Sequence, residues 1–347
     1  MTTTSTHTAP ETAPTMERSA WRAFLASLAK RQEVGLLALI VVLALIVNSV
    51  NDRFLTPSNV YNLLQTVAVI GIIAVGQTFV LIAKEIDLSV GSVLALSAVT
   101  TGALFGGGLT PWVAVLAGLA VGASCGLVVG AAVVFGKVSS FIVTLGMLSI
   151  ARGMTLLVTG GLPQRMPAEL SFIGQGRILG GLPISVLVFV ILVIVGQWVL
   201  TRTVFGLRVT SVGDNATAAK LGGIPVARTR LLTFTLIGLL AGVAGIVFST
   251  QVGVAEAQAG TGYELDVIAA AVIGGASLGG GRGSIVGAFL GATLLGLLRN
   301  SFILLGLSSF LQQLSIGLVI VLAALFDQWR QGNLGSMKHW LQARRRK

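Results

Sequence analysis

Only two histidines, His7 and His339, occur in the chain, and both lie in polar end segments. The apolar middle therefore has no imidazole base and no clustered metal site. Gly275-Ala276-Ser277-Leu278-Gly279 matches the spacing of a serine nucleophile elbow. That motif needs a strand before it and a histidine beside it, and this stretch has neither. It is read as chance in a glycine-rich segment. Gly136-Lys137 resembles the end of a phosphate-binding loop, but Ala131 stands where the first glycine belongs and Val138 replaces the hydroxyl residue. No catalytic residue, metal or cofactor is expected in this chain, and it has no nucleotide site of its own.

Polar residues inside apolar surroundings carry more information. Glu85-Ile86-Asp87-Leu88-Ser89-Val90-Gly91-Ser92 interrupts an otherwise continuous apolar stretch. Asp87 and Ser89 can cap the helix that follows, or cap a helix end that also faces a pathway. Arg152 lies in another apolar run, where Asp87, backbone carbonyls or the membrane surface are all open to it. Asp87, Ser89, Thr144 and Arg152 are the candidate pathway residues. In the basic connector 202–230, Asp214 or Asn215 can cap a short helix over 216–221. Gly222-Gly223 ends that helix and Pro225 prevents its continuation. Asp214, Asn215, Ala218, Lys220, Leu221 and Gly222 form a segment suited to being touched by another protein. Arg165 and Arg177 sit in the connector 161–182, the natural docking place on the opposite face.

The elements that hold these residues follow from composition. Apolar residues make up 54% of 347 positions, charged residues 10%, and the mean hydropathy is +0.92. A soluble chain carries about a quarter charged residues. At ~20 apolar residues per span, there is material for about ten helices. Runs at 34–50, 60–83, 88–109, 111–135, 140–160, 182–201, 231–252, 265–279, 284–305 and 309–326 supply them, the short eighth run being open to a re-entrant reading. The expectation is an all-α polytopic membrane protein, with tails at 1–33 and 328–347 and a membrane domain at 34–327. The net charge of +11 does not point to nucleic acid, because the basic residues cap and connect the runs. Arg53, Arg165, Arg177 and Arg299 fall on the outer side, Arg152 within a span, and the remainder of the 23 on the inner side. That bias places both termini in the cytoplasm.

A fixed offset of 169 residues relates Gly106 to Gly275, Gly118 to Gly287, Gly122 to Gly291 and Ser139-Ser140-Phe141 to Ser308-Ser309-Phe310. It maps spans 2–5 onto spans 7–10. Five spans is an odd number, so the two repeats must be inverted, an arrangement typical of transporters. Gly118, Gly122, Gly126 and Gly130, like Gly283, Gly287 and Gly291, recur every four residues as ridges for close helix packing.

Together, EIDLSVGS at 85–92, FIVTLGMLSIARG at 141–153, GLRVTSVGDNATAAKLGGI at 206–224 and GYELDVIAAAVIGGASLGGGRGSIVGA at 262–288 resemble the permease subunits of bacterial ATP-binding-cassette importers of the ribose, xylose and galactose type. Branched-chain amino-acid permeases are more distant relatives. The resemblance spans roughly 55–327. It implies a permease of the bacterial plasma membrane that forms the pathway for a monosaccharide such as a ribose-like pentose. It implies ATPase subunits that bind ATP and magnesium, a soluble sugar-binding protein outside, a second permease copy and a lipid surround. The connector at 214–224 would be the coupling helix. The family commonly has small residues where this chain has Lys84-Glu85. The other reading is an ion-coupled secondary transporter of a small polar solute, for which Asp87 is the plausible carboxylate.

Overall fold

The structure, a computed structural model, describes residues 32–178 and 181–330. Most of the two expected tails, with His7 and His339, lies outside the described residues. Twelve helices follow in order: α1 (Gln32–Val50), α2 (Pro57–Ile82), α3 (Val90–Gly106), α4 (Pro111–Val134), α5 (Ser140–Thr159), α6 (Ser171–Gln175), α7 (Ile184–Arg202), α8 (Val204–Leu221), α9 (Val226–Val252), α10 (Tyr263–Ile273), α11 (Ile285–Leu304) and α12 (Ser309–Arg330). Two antiparallel strand pairs decorate them: β1 (Gln164–Arg165) with β4 (Val254–Ala255), and β2 (Arg177–Ile178) with β3 (Leu182–Pro183). Each of the ten apolar runs contributes a helix.

Seven of these helices (α1, α2, α4, α5, α7, α9 and α11) are long and apolar enough to cross a membrane, and α3 and α12 contribute shorter apolar stretches. The eighth run needs correction. Its helix, α10, ends at Ile273 and is about 16 Å long at 1.5 Å per residue, roughly half the hydrocarbon thickness. Residues 274–284 leave the helix because Gly275, Gly280 and Gly281 take left-handed backbone angles.

The two halves are inverted copies. Helices α9 and α12 begin 169 residues after α2 and α5. α2 packs on α10 and α11 as α9 packs on α3 and α4, and α3 meets α4 and α5 as α10 meets α11 and α12. Direction is read from contacts. Gly76 lies against Ile237 and Glu85 against Arg230, so α2 and α9 run antiparallel. Gly122 meets Gly238 and Gly242, whereas Gly130 meets Leu231, so α4 and α9 are antiparallel too. The lead helices of the two repeats therefore traverse the membrane in opposite senses.

The glycine ridges explain how closely these helices approach. A methyl on Gly126 would overlap the Phe234 carbonyl, and one on Gly287 would overlap that of Gly274. Gly118 backs onto Ser97 and Thr101 of α3, and Gly291 onto Ala270 of α10. Gly283, just before α11, faces the Ile82 side chain. These glycines do packing work in both repeats. At the centre sits α2, whose most apolar window is 89% buried against 6% for α1. Large apolar side chains such as Leu45, Leu157 and Trp198 remain exposed on the outer helices, as a lipid-facing surface requires.

Candidate functional site

Two stretches of non-helical backbone enter the middle of the fold, one from each side. Residues 83–89 link α2 to α3, and residues 253–262 link α9 to α10. Ala255 pairs with Gln164, which lies beside Gly102 on α3, while Gly260 lies against Gly91. The second stretch thus descends along α3 from Gly102 to Gly91, about 16 Å at 1.5 Å per residue. The first turns of α3 and α10 meet there, with Glu264 facing Gly91. Two short helices starting inside a membrane are the discontinuous elements from which transporter pathways are built.

Irregular backbone at that depth must have its polar groups satisfied by protein, and α5 does this for both stretches. On the N-terminal half of α5, the Ser140 hydroxyl accepts from the Ile86 amide at 3.4 Å, and the Thr144 hydroxyl approaches the Ile86 carbonyl at 3.5 Å. Two turns further on, the Arg152 guanidinium donates to the carbonyls of Ala257 and Ala259. Of the three partners open to Arg152 in the sequence, the structure selects backbone carbonyls. Thr144 is fully buried and also donates to Ser140 at 2.8 Å. Asp87, 2% exposed, accepts from the amide and hydroxyl of Ser89 at 2.8 and 2.7 Å. The expected cap is therefore shifted. Asp87 ties the turn before α3, and the Ser89 side chain donates to Asp87 rather than capping the helix. All four candidate pathway residues lie at or against the breaks, where Thr144 and Arg152 bond backbone carbonyls and Asp87 and Ser89 bond each other.

Beyond the C-terminal end of α2, Glu85 pairs with Arg230 at 3.0 Å, across the two repeats. Nothing in the local pattern links the two residues, which lie 145 positions apart. Gln77, inside the run at 60–83, is another residue the sequence reading passed over. It is fully buried, and neither amide atom has a hydrogen-bond partner among the described residues. The only visible signal was a glutamine amid aliphatic neighbours.

The connector at 202–230 is more helical than expected. α8 runs from Val204 to Leu221 but breaks at Asn215, whose backbone is extended (φ −154°, ψ 99°). Asn215 caps the second piece, its Oδ1 accepting from Thr217 at 3.1 Å and Ala218 at 3.0 Å. Asp214 makes no such cap and instead lies against Gly281. Gly222 ends the helix, and Gly223 follows with φ +81°. Ala218, Lys220 and Leu221 are exposed, Leu221 at 86%, whereas Ala219 is 6% exposed. The first piece is braced against the C-terminal end of α2. A methyl on Gly213 would overlap the Ile82 carbonyl, which also accepts from the Gly281 amide at 2.8 Å.

On the opposite face, Arg165 in β1 and Arg177 in β2 are both exposed, the latter stacked 5.0 Å from the Tyr61 ring centre. Arg299, also placed outside by the sequence, is not free. It pairs with buried Asp266 and lies over Tyr263. A cavity of about 310 Å³ opens beside it, with Asn59, Asn62, Thr66, Asn300 and Gln312 in its wall beside Leu63 and Ile303.

Residues 59–324 match the family described as the permease component of the branched-chain amino acid transport system. The ribose import permease protein RbsC of Escherichia coli strain K12 is 41% identical over 305 residues, covering 86% of this chain and 94% of that protein. The L-arabinose ABC transporter permease protein AraH of Azospirillum brasilense is 37% identical over 289 residues, 82% of this chain and 84% of its own length. The autoinducer 2 import system permease protein LsrC of Enterobacter sp. strain 638 is 36% identical over 302 residues, 87% and 88% respectively. No solved structure matches the chain significantly. With a family match over residues 59–324 and relatives 36–41% identical over most of their own length, the chain belongs to this family of multi-pass membrane permeases.

Proposed function

We propose that the chain is the pathway-forming subunit of an ATP-driven importer for a monosaccharide, a ribose-like pentose or a related sugar. The observation that carries this reading is the exposed helix at 216–221, on a chain whose sequence has no nucleotide site and whose ribose- and arabinose-named relatives match over most of their length. ATP hydrolysis then takes place on a separate ATPase subunit, which holds ATP and magnesium and contacts this helix. A sugar-binding protein delivers the substrate to the outer face, and a second permease copy completes the pathway. Both termini are cytoplasmic, and 202–230 is the coupling region.

The test is uptake of labelled ribose into proteoliposomes holding this chain with an importer ATPase and a ribose-binding protein from the same organism. Uptake that needs ATP and persists without ion gradients supports the proposal. Uptake driven by a proton or sodium gradient without ATP overturns it in favour of the ion-coupled reading.

Docking outside carries its own expectation. Sugar-binding proteins of such importers commonly present acidic surfaces, and Arg165 and Arg177 are exposed cations on the outer connector. Reversing both, R165E with R177E, is expected to slow binding-protein association by about three- to tenfold at low salt. The difference should shrink as salt is added. The measurement is binding-protein-stimulated ATP hydrolysis at several ionic strengths. Unchanged stimulation would move docking to Arg53, since Arg299 is already paired with Asp266.

A further inference from the structure

Among the described residues, only Lys84 and Lys137 combine a side chain with a left-handed backbone, at φ 63° and 55°. Glycine takes that conformation without strain, and a lysine does not. The two are 53 positions apart in sequence, yet both line one cavity of about 730 Å³ at the inner ends of α2, α4 and α9. Lys220 and Arg230 line the same cavity. Arg230 is neutralised by Glu85 at 3.0 Å, whereas Lys84, Lys137 and Lys220 have no ion-pair partner among the described residues. Val134, Val138 and Ile224 give the cavity an apolar wall.

Three unpaired ammonium groups beside an apolar wall call for a ligand with a charged head and an apolar continuation. The cavity is framed by the C-terminal ends of α2 and α4 and the N-terminal end of α9, on the side that the charge bias assigns to the cytoplasm. Basic hollows between helices on this side are suited to phosphate-bearing lipids. We propose that this cavity binds the phosphate head of an anionic phospholipid of the inner leaflet, with Lys84, Lys137 and Lys220 as its ligands. The left-handed lysines then have a reason: glycine would relax the backbone at both places but would remove two of the three charges that hold the phosphate. The cavity also touches Pro225 and Val226, directly after the exposed helix, so an occupant would brace the inner end of that connector.

The backbone geometry supplies a clean variant. K84G with K137G removes two charges while relieving both left-handed positions, so a loss of lipid response cannot be ascribed to misfolding. The full chain is placed in nanodiscs of phosphatidylcholine alone, or of equal parts phosphatidylcholine and phosphatidylglycerol, and thermal unfolding is followed. Phosphatidylglycerol is expected to raise the midpoint of the unaltered chain by about 3 °C or more. The K84G/K137G variant should lose most of that rise while unfolding no earlier in phosphatidylcholine alone. R202Q with R228Q removes two exposed inner cations outside the cavity and should keep the rise. Inorganic phosphate added to phosphatidylcholine discs separates the sources. A weaker effect than phosphatidylglycerol supports the lipid, and an equal effect abolished by K84G/K137G assigns the same site to soluble phosphate. An equal lipid response in the unaltered chain and K84G/K137G would overturn the proposal. So would disappearance of the response once the ATPase is bound, because the lysines would then face that partner.

Discussion

Glutamate at Leu221, or at Ala218, is expected to abolish ATP-driven uptake while the permease still inserts and folds. The expectation follows from what these side chains do not touch. Leu221 is 86% exposed and Ala218 is also exposed, so neither supports the membrane bundle. A surface substitution away from such support normally changes stability by less than about 0.5 kcal/mol. An exposed leucine at the tip of a short, capped helix is instead an apolar anchor for a partner groove, and burying a carboxylate there is costly. The route inward from the tip is short. Gly213, at the end of the first piece of α8, sits against the Ile82 carbonyl and so against the break that begins the α2–α3 connection. Purified L221E and A218E should show normal thermal unfolding and at least a tenfold loss of uptake, with the ATPase either failing to assemble or hydrolysing without transport. A219E is the contrasting case, because Ala219 is buried at 6% exposure and should damage folding itself. Full uptake by L221E and A218E with the ATPase attached would place the coupling contact elsewhere. N215A, which removes the hydrogen bonds to Thr217 and Ala218, should weaken the helix by about 1 kcal/mol and reduce uptake less.

Helix number and inversion were legible because both rest on patterns with long reach. Ten apolar runs and a constant offset survive errors of a few residues at each boundary. The eighth run shows the limit. Hydropathy continued through Ala276 and Leu278, but Gly274-Gly275 and Gly279-Gly280-Gly281 ended the helix early, and backbone angles rather than polarity decided it. Caps were half legible. Asp214 and Asn215 are equally good on chemistry, and the choice fell to Asn215 because Gly281 packs directly on the Asp214 Cα. The pathway residues were legible as places but not as roles. Asp87, Thr144 and Arg152 were visible as polar groups at depth, yet what satisfies them comes from segments up to 107 positions away. The Glu85–Arg230 pair had the same difficulty: charge type alone does not name a partner in the other repeat.

Replacing Arg152 by methionine is expected to destabilise the permease and stop uptake, because the side chain acts as scaffold for the break between α9 and α10. Methionine keeps much of the length of the side chain but donates nothing. The carbonyls of the buried Ala257 and Ala259 would lose their donor, and each unsatisfied buried group costs about 1–3 kcal/mol. Loss of both would lower the midpoint of unfolding by roughly 3–8 °C for a chain of this size. The same carbonyls lie in the stretch that delivers Gly260 to Gly91, so the meeting of the α3 and α10 first turns would loosen. A lysine at 152 keeps the charge but offers a point donor in place of the planar fork. R152K should therefore recover part of the stability and part of the uptake. A residue lining the pathway would give a different pattern: R152M would unfold at the normal temperature, assemble with its ATPase, and fail only in moving sugar. Thermal unfolding of R152M and R152K, read beside ATP-driven uptake, separates the two roles. Because Thr144 and Ser140 perform the matching task for Ile86 on the N-terminal half of α5, removing both hydroxyls should loosen the other break in the same way, with a smaller shift because neutral hydrogen bonds are weaker than charged ones.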